Sequence, residues 1–469
     1  PSPPPRAALR PPLAPRCSPA VAVVLGVPSE TVPSVRGVPE SKPKSPRVAV
    51  LADSDTRWKW GALTAARVTG CEEPDGFLLR GRATPTARQL REVGVRAASL
   101  REVTANGFVR AMGETAYDVV VLALVGGGVQ ALVHGLRYAW QGAVKRPVLV
   151  TGYVGVVYEK LADGLLLRHG ADLVLANSRD DAERFRAVYE GVGADSASVV
   201  ECALPFLQGE PAAASAEGPV VFAVQPSVPE RRADRLYLLR RAAQHARLHP
   251  EREVLVKLRS RPGEHTTHIE EQPYQKLARS LDLPPNCRLE YGHMGTILDT
   301  ASLLVTVSST AALEALHRGV PTAVLTDLGV REALGNHAFL GSGCLTSWDA
   351  LDAGHLPKAD PAWAARQGVA SDRPYESAFD AARARLAALL ARPQLPPLSP
   401  YYTLATAPGY LPGILARHHL APDGSPLPGA PSDTRPPGPL KQVVRQAARG
   451  AYRHGVQRVA PVIRRMGDL

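Results

Sequence analysis

The sequence predicts an α/β protein: two Rossmann-like parallel-sheet domains facing a cleft, with Pro-rich basic tails. Three observations predict it. From residue 47 onward, near-continuous Val/Leu runs of strand length alternate with helical stretches, the pattern of a parallel sheet covered on both faces. The alternation halts at 207–218 (LQGEPAAASAEG), a small and polar linker, and then restarts. The chain has 469 residues with 45% hydrophobic content, enough for two domain cores.

In the first domain, 47–206, strands are expected at 47–53 (RVAVLAD), 117–124 (YDVVVLAL), 147–152 (PVLVTG) and 172–177 (DLVLAN), with weaker ones at 76–80 and 96–100. Helical spacing falls near 57–70, 85–94, 129–140 and 179–190. In the second domain, 219–392, strands are expected at 219–225, 253–258, 287–291, 302–307 and 321–326. Helices fit 231–248, 273–281, 294–300, 310–318 and 376–391. Residues 393–439 hold 13 prolines, too many for a regular element. Residues 440–469 read as a basic amphipathic helix with Arg445, Arg449 and Arg453 in one stripe.

The net charge of +11 invites a polyanionic partner, but its distribution argues otherwise. Residues 1–47 carry seven Lys/Arg against Glu30 and Glu40; residues 440–469 carry seven against Asp468. The tails therefore hold the whole excess and the body between them is neutral. That distribution excludes a nucleic-acid-binding core. It leaves the 440–469 helix either to meet an anionic membrane surface or to dock on the body. Residues 1–46 are read as a disordered Pro-rich leader; a signal peptide around 19–27 is the competing reading. Five scattered cysteines without metal spacing fit a reducing cytoplasm, and only the 440–469 tail points to its membrane face.

Chemistry concentrates at strand ends. In 302–327 (SLLVTVSSTAALEALHRGVPTAVLTD) a buried strand runs into Ser308, Ser309 and Thr310 and then a helix, a junction that offers hydroxyls and free backbone N–H groups to a phosphate. Glu314, one turn on, is in place for a sugar hydroxyl. Plain capping by Ser309 or Thr310 is the alternative. Lys257, Arg259 and Arg261 follow another buried strand, three cations that suit an anion or a solvated basic loop. Asp53 and Asp55 end the first strand, at the carboxyl edge where open α/β sheets bind ligands. Either is a candidate general base, or a helix cap. Arg57 and Lys59 beside them suit an anionic acceptor. Gly126 and Gly127 permit close approach of an acceptor or simply make the turn. No metal-ligand spacing and no dinucleotide fingerprint appear, so neither a metal nor a cofactor is expected.

The segment Glu314-Ala315, Gly319, Pro321 after a Ser/Thr-rich junction resembles the donor-binding signature of GT-B glycosyltransferases, a signature that epimerases of the same fold share. The nearest likeness is to an actinobacterial group of glycosyltransferases with polysialyltransferase-like features. It implies a nucleotide-sugar donor on the second domain, a glycan or lipid-linked cell-envelope acceptor on the first, and no catalytic metal. In polysialyltransferase-like enzymes a His-Pro pair contacts the donor phosphate. Here the pair is missing, and His265 and His268 are the histidines left to protonate the departing phosphate. A nucleotide-sugar epimerase and a non-catalytic binding protein on the same scaffold remain the alternatives.

Overall fold

The computed structural model describes residues 45–155, 160–207, 217–261, 264, 270–369 and 374–430, all within the unit Ser45–Leu469. The leader 1–46 up to Lys44, the tail 440–469, His265 and His268 lie outside the described residues.

The first sheet is built from β1 (Val48–Ala52), β2 (Asp75–Leu79), β3 (Ser99–Val103), β4 (Val119–Ala123), β5 (Val148–Gly152), β6 (Leu173–Ala176) and β7 (Val199–Glu201). Its helices are α1 (Asp55–Thr69), α2 (Ala87–Val93), α3 (Ala105–Glu114), α4 (Gly126–Ala139), α5 (Leu161–Leu166) and α6 (Arg179–Gly191). The second sheet comprises β8 (Val220–Ala223), β9 (Val254–Lys257), β10 (Cys287–Glu290), β11 (Leu303–Thr306), β12 (Thr322–Leu325) and β13 (Leu345–Thr346). With it come α7 (Arg232–Leu248), α8 (Tyr274–Ala278), α9 (Met294–Leu298), α10 (Ala311–His317), α11 (Trp348–Asp352) and α12 (Pro361–Arg366). α13 (Asp380–Leu390) and α14 (Leu411–Arg417) complete the described chain.

All pairings within both sheets are parallel. The strand orders are β3-β2-β1-β4-β5-β6-β7 and β10-β9-β8-β11-β12-β13. Each sheet thus starts in the middle, winds outward, then returns to the other side, the Rossmann order with its switch point at the first and fourth strands. The sequence-predicted fold class is what the structure has. The central strands β1, β4 and β5 are buried along their whole length, which is why they read as unbroken apolar runs.

Local chemistry sets the helix boundaries. Ser54 caps α1 by accepting from the Arg57 amide, and Gly70 ends it in the left-handed conformation at φ 72°. Thr86 and Gln89 form a capping box on α2, and Ser178 caps α6 by accepting from the Asp181 amide. Asn177 beside it is a tether instead: its Nδ2 donates to Tyr153 O and Gly155 O.

Several elements differ from the sequence reading. α3, β7 and β13 were absent from it; the strands are only three and two residues long, too short for periodicity to register. α4 begins at Gly126 rather than 129, so the three glycines form its first turn. The Pro-rich segment holds a helix after all: α14 tolerates Pro412 because it falls in the first turn, where its missing N–H has no partner to lose. α13 packs against α1 and the first sheet, and α14 against α4, so the chain returns to the first domain after leaving the second.

α1 lies close on the first sheet because Gly61 faces it. A Cβ there would sit 2.6 Å from Val50 Cγ1 and 3.1 Å from Ala123 Cβ. Gly61→Ala is therefore expected to lose about 1–3 kcal/mol of stability in urea unfolding. An unchanged midpoint would mean that α1 shifts freely, which its role in holding the site residues below would not survive.

Candidate functional site

The carboxyl edges of the two sheets contribute side chains to one polar cluster. Strand ends of an open α/β sheet leave backbone groups and loop side chains free at that edge, most of all where the winding reverses. In the first sheet the crevice lies between the ends of β1 and β4. There the Val125 amide donates to Asp53 Oδ2 at 3.0 Å. In the second it lies between the ends of β8 and β11, where the Ser308 amide donates to Gln225 Oε1, also at 3.0 Å. The two domains use the same device: a side chain after the first strand binds the backbone after the fourth.

Lys257 ends β9 and is buried. Its Nζ donates to Leu258 O at 2.6 Å and lies 3.9 Å from Glu92 Oε1 on α2. Burial pushes this ammonium down to about 8, against the pull of Glu92. Glu92 also accepts from the Gly292 amide at 2.8 Å and pairs with Arg88, which binds Glu264. Arg259 Nη2 crosses to α1, donating to Asp55 Oδ1 at 2.9 Å and to Thr56 Oγ1. Lys59 on α1 reaches the other way, 3.9 Å from Glu314 Oε2 on α10 and over the Phe206 ring.

Glu314 is the least satisfied group in the cluster. It is buried, and its Oε2 has no hydrogen-bond partner. Burial holds its carboxyl above the usual range, although Lys59, Arg318 and Lys257 all pull it down. His293, which opens α9, faces the same cations: burial, then Lys59, Arg318 and Lys257, keep its imidazole below its usual value. Three cations thus lie near Glu314, two of them with carboxylates of their own: Arg318 pairs with Asp299 at 3.0 Å and Lys257 lies 3.9 Å from Glu92. A buried cluster so rich in cations suits an anion.

The expected site residues divide into three groups. Lys257, Arg259, Lys59, Asp55 and Glu314 are brought together. Ser308 and Ser309 do scaffold work: Ser308 Oγ donates to Leu334 O at 2.6 Å, and Ser309 Oγ accepts from the Ala311 amide at 3.2 Å. Thr310 makes no cap bond and faces Gly155 of the first domain. Arg261 lies over the Tyr291 ring, and its amide donates to Glu264 Oε2. Lys59, expected on the acceptor side, instead meets the donor-side Glu314. Asp53 is paired with Arg57 at 2.9 Å. Neither Asp53 nor Asp55 supplies the cap of α1, which falls to Ser54 between them. For Asp55, burial opposes ionisation, but Arg259 and the Thr56 amide win and hold the carboxyl below its usual range. An ion-paired carboxylate of that kind is a weak proton acceptor. Gly126 and Gly127 are half-buried: a Cβ would lie 2.9 Å from Leu167 Cδ1 at the first and 3.9 Å from Ile414 Cγ2 at the second.

Glu92 and His293 escaped the sequence reading. His293 had a findable signal, since it follows β10 directly at the carboxyl edge. Glu92 had none, because only the tertiary fold sets α2 against β9. Among the described residues no group of three His, Cys, Asp or Glu side chains is placed to hold a metal ion, and no helix is long and apolar enough to cross a membrane. Cys71, Cys202, Cys287 and Cys344 are free thiols.

A model of the family described as "Putative glycosyltransferase (DUF6716)" matches residues 48–389, well over half of the chain, and the chain belongs to that family. No curated protein matches it. Among solved structures, the glycotransferase of kitacinnamycin is similar at 15% identity, over 74% of this chain and 96% of that one, with a TM-score of 0.39. The spinosyn rhamnosyltransferase SpnG is similar at 14% identity, over 74% and 97%, with a TM-score of 0.39. UDP-GlcNAc 2-epimerase from Neisseria meningitidis, bound to UDP-GlcNAc, is similar at 10% identity, over 74% and 100%, with a TM-score of 0.43.

Proposed function

We propose that this member of the glycosyltransferase family moves a sugar from a nucleotide-sugar donor, held on the second domain, to a hydroxyl of a glycan or lipid-linked cell-envelope acceptor held on the first. The observation that carries the reading is the buried cluster at the facing sheet edges: Lys257, Lys59 and Arg318 near Glu314, whose Oε2 has no hydrogen-bond partner, with His293 beside the same cations. A diphosphate satisfies the cations, and a sugar or ribose hydroxyl donating to Glu314 satisfies the oxygen. Charge building on the departing phosphate is then met by fixed cations in a site of low dielectric. Arg259 joins them when it leaves Asp55, and Ser309, Thr310 and Arg261 flank the same edge. His265 and His268 belong to this proposal only as residues near Arg261 in sequence. His293 is better supported as the group beside the leaving phosphate.

The acceptor reading rests on position. Asp53 and Arg57 sit at the carboxyl edge of the first sheet, with Asp55 joining that edge to the cluster through Arg259. The chemistry requires no metal and no resident cofactor. A cytoplasmic place at the inner membrane face, with 440–469 on anionic lipid and the acceptor delivered there, completes the proposal.

The test is a thermal-shift panel of CMP, CDP, UDP and GDP sugars. One nucleotide class is expected to raise the midpoint, because a ligand that binds only the folded state stabilises it. That rise should shrink in Glu314→Gln. No shift with any of them would remove the reading. Product analysis with and without acceptor then decides between transfer and epimerisation, and a donor that binds but never turns over would leave a binding protein.

A further inference from the structure

The segment after α13 ends up over the reactive edge of the first sheet. α14 packs on α4, and Ile414 meets the first turn of that helix at Gly127. Four residues on, the helix ends at His418-His419. Asn106 Nδ2, in the first turn of α3, donates to His419 O at 3.1 Å. His419 takes φ 57°, one of two non-glycine residues with positive φ among those described, which turns the chain sharply there. The His418-His419 turn is therefore pinned between the start of α3, which follows β3, and the start of α4, which follows β4. The strand order β3-β2-β1-β4 puts the end of β1, and Asp53, between those two points. His418 is half-buried there, and Val125 next to the crevice is exposed, so the place is open to a ligand.

Resting on the transferase reading, we propose that His418 is the general base of the reaction, with Asp53 the carboxylate whose charge acts on its imidazole. The acceptor O–H proton passes to the neutral imidazole of His418. The acceptor oxygen forms its bond to the donor's anomeric carbon, and the bond from that carbon to the phosphate oxygen breaks. The nucleotide leaves with the electron pair, so charge and atoms balance without an oxidant or a metal. The carboxylates at this edge are engaged elsewhere: Asp55 by Arg259 and Thr56, Asp53 by Arg57 and the Val125 amide. A base must be unprotonated at working pH, and the surroundings of His418 favour that form. Burial lowers the imidazole, Asp53 draws it back up, and His419 and Arg417 lower it further. Arg57, held on Asp53, is the remaining charge on that side.

The experiment uses the full chain with UDP-, GDP- and CMP-sugars and p-nitrophenyl glycosides as acceptors, following nucleotide release and glycoside product from pH 5 to 9. His418→Gln is expected to lose 100-fold or more in turnover, with nucleotide affinity and thermal midpoint unchanged. The acidic limb of the wild-type rate profile, where His418 takes up a proton, should vanish with it. Asp53→Asn removes the charge that favours the imidazolium, so the limb should move to lower pH. A merely structural histidine would change the midpoint and leave the limb in place. If the wild type transfers sugar and His418→Gln matches it within threefold, the base assignment falls and the transferase reading stands. If the wild type turns over no donor, the transferase reading falls and takes this assignment with it.

Discussion

Lys257→Ala weakens donor-nucleotide binding by roughly 10- to 100-fold at pH 7, the size expected for losing a charge-assisted bond to phosphate. Lys257 stands at the end of β9 with its ammonium buried and its nearest carboxylate, Glu92, 3.9 Å away. Burying a cation so incompletely paired costs stability, and a bound phosphate offsets that cost. The pH dependence follows from the direction of its shift. Burial pushes the group down to about 8, so it is charged below that pH and neutral above it. Nucleotide affinity should be flat below pH 8 and fall above it, and the fall should be absent in Lys257→Ala. Because phosphate favours the ammonium, binding at pH 8 takes up protons, visible as a calorimetric heat that depends on the buffer. In the free protein the sign is opposite. The unfolded chain, whose lysine titrates near 10.4, binds more protons between pH 8 and that value, so stability rises with pH across the window. Identical affinity in wild type and variant, at both pH 7 and pH 9, would take Lys257 out of the site.

The parts of this site that the sequence displayed are those a single strand end can display. Lys257 and Arg259 follow β9, Asp53 and Asp55 follow β1, and Glu314 follows β11. A long apolar run with charge immediately after it can be recognised because burial dictates the run and the carboxyl edge dictates where polar groups collect. The opposite partners were hidden. Asp55 and Arg259 are 204 residues apart, and nothing local in either segment announces the other. Glu92 sits on a helix whose amphipathic spacing reports only which face is buried. His418 was obscured for another reason: proline content counted against any regular element in 393–439, although Pro412 lies at the one helical position that suits it. The hydroxyls of Ser308 and Ser309 show what residue type alone leaves open: both bond the chain's own backbone, the capping alternative to a phosphate contact.

Asp55→Asn separates two roles that the same position could hold. As a general base, its loss would cost 100- to 10,000-fold in turnover. The geometry favours the other role. Asp55 is ion-paired with Arg259 at 2.9 Å, and its carboxyl is held below the usual range even though burial works against ionisation. It therefore joins α1 to the loop after β9 and, on the proposed reading, holds Arg259 back from the donor phosphate. The expected result is turnover within tenfold of wild type, together with nucleotide affinity tightened by about 2- to 5-fold, since a pair whose guanidinium is still reached by solvent contributes up to roughly 1 kcal/mol. Arg259→Ala in the Asp55→Asn background should return affinity to wild type or weaker, because the gain comes from the guanidinium released. Binding and turnover together give four distinguishable outcomes. Loss of turnover with unchanged affinity would make Asp55 the base and displace His418. Tighter binding with intact turnover would leave Asp55 a competitor for Arg259, a latch between the domains that donor phosphate opens by offering the same cation a second negative charge.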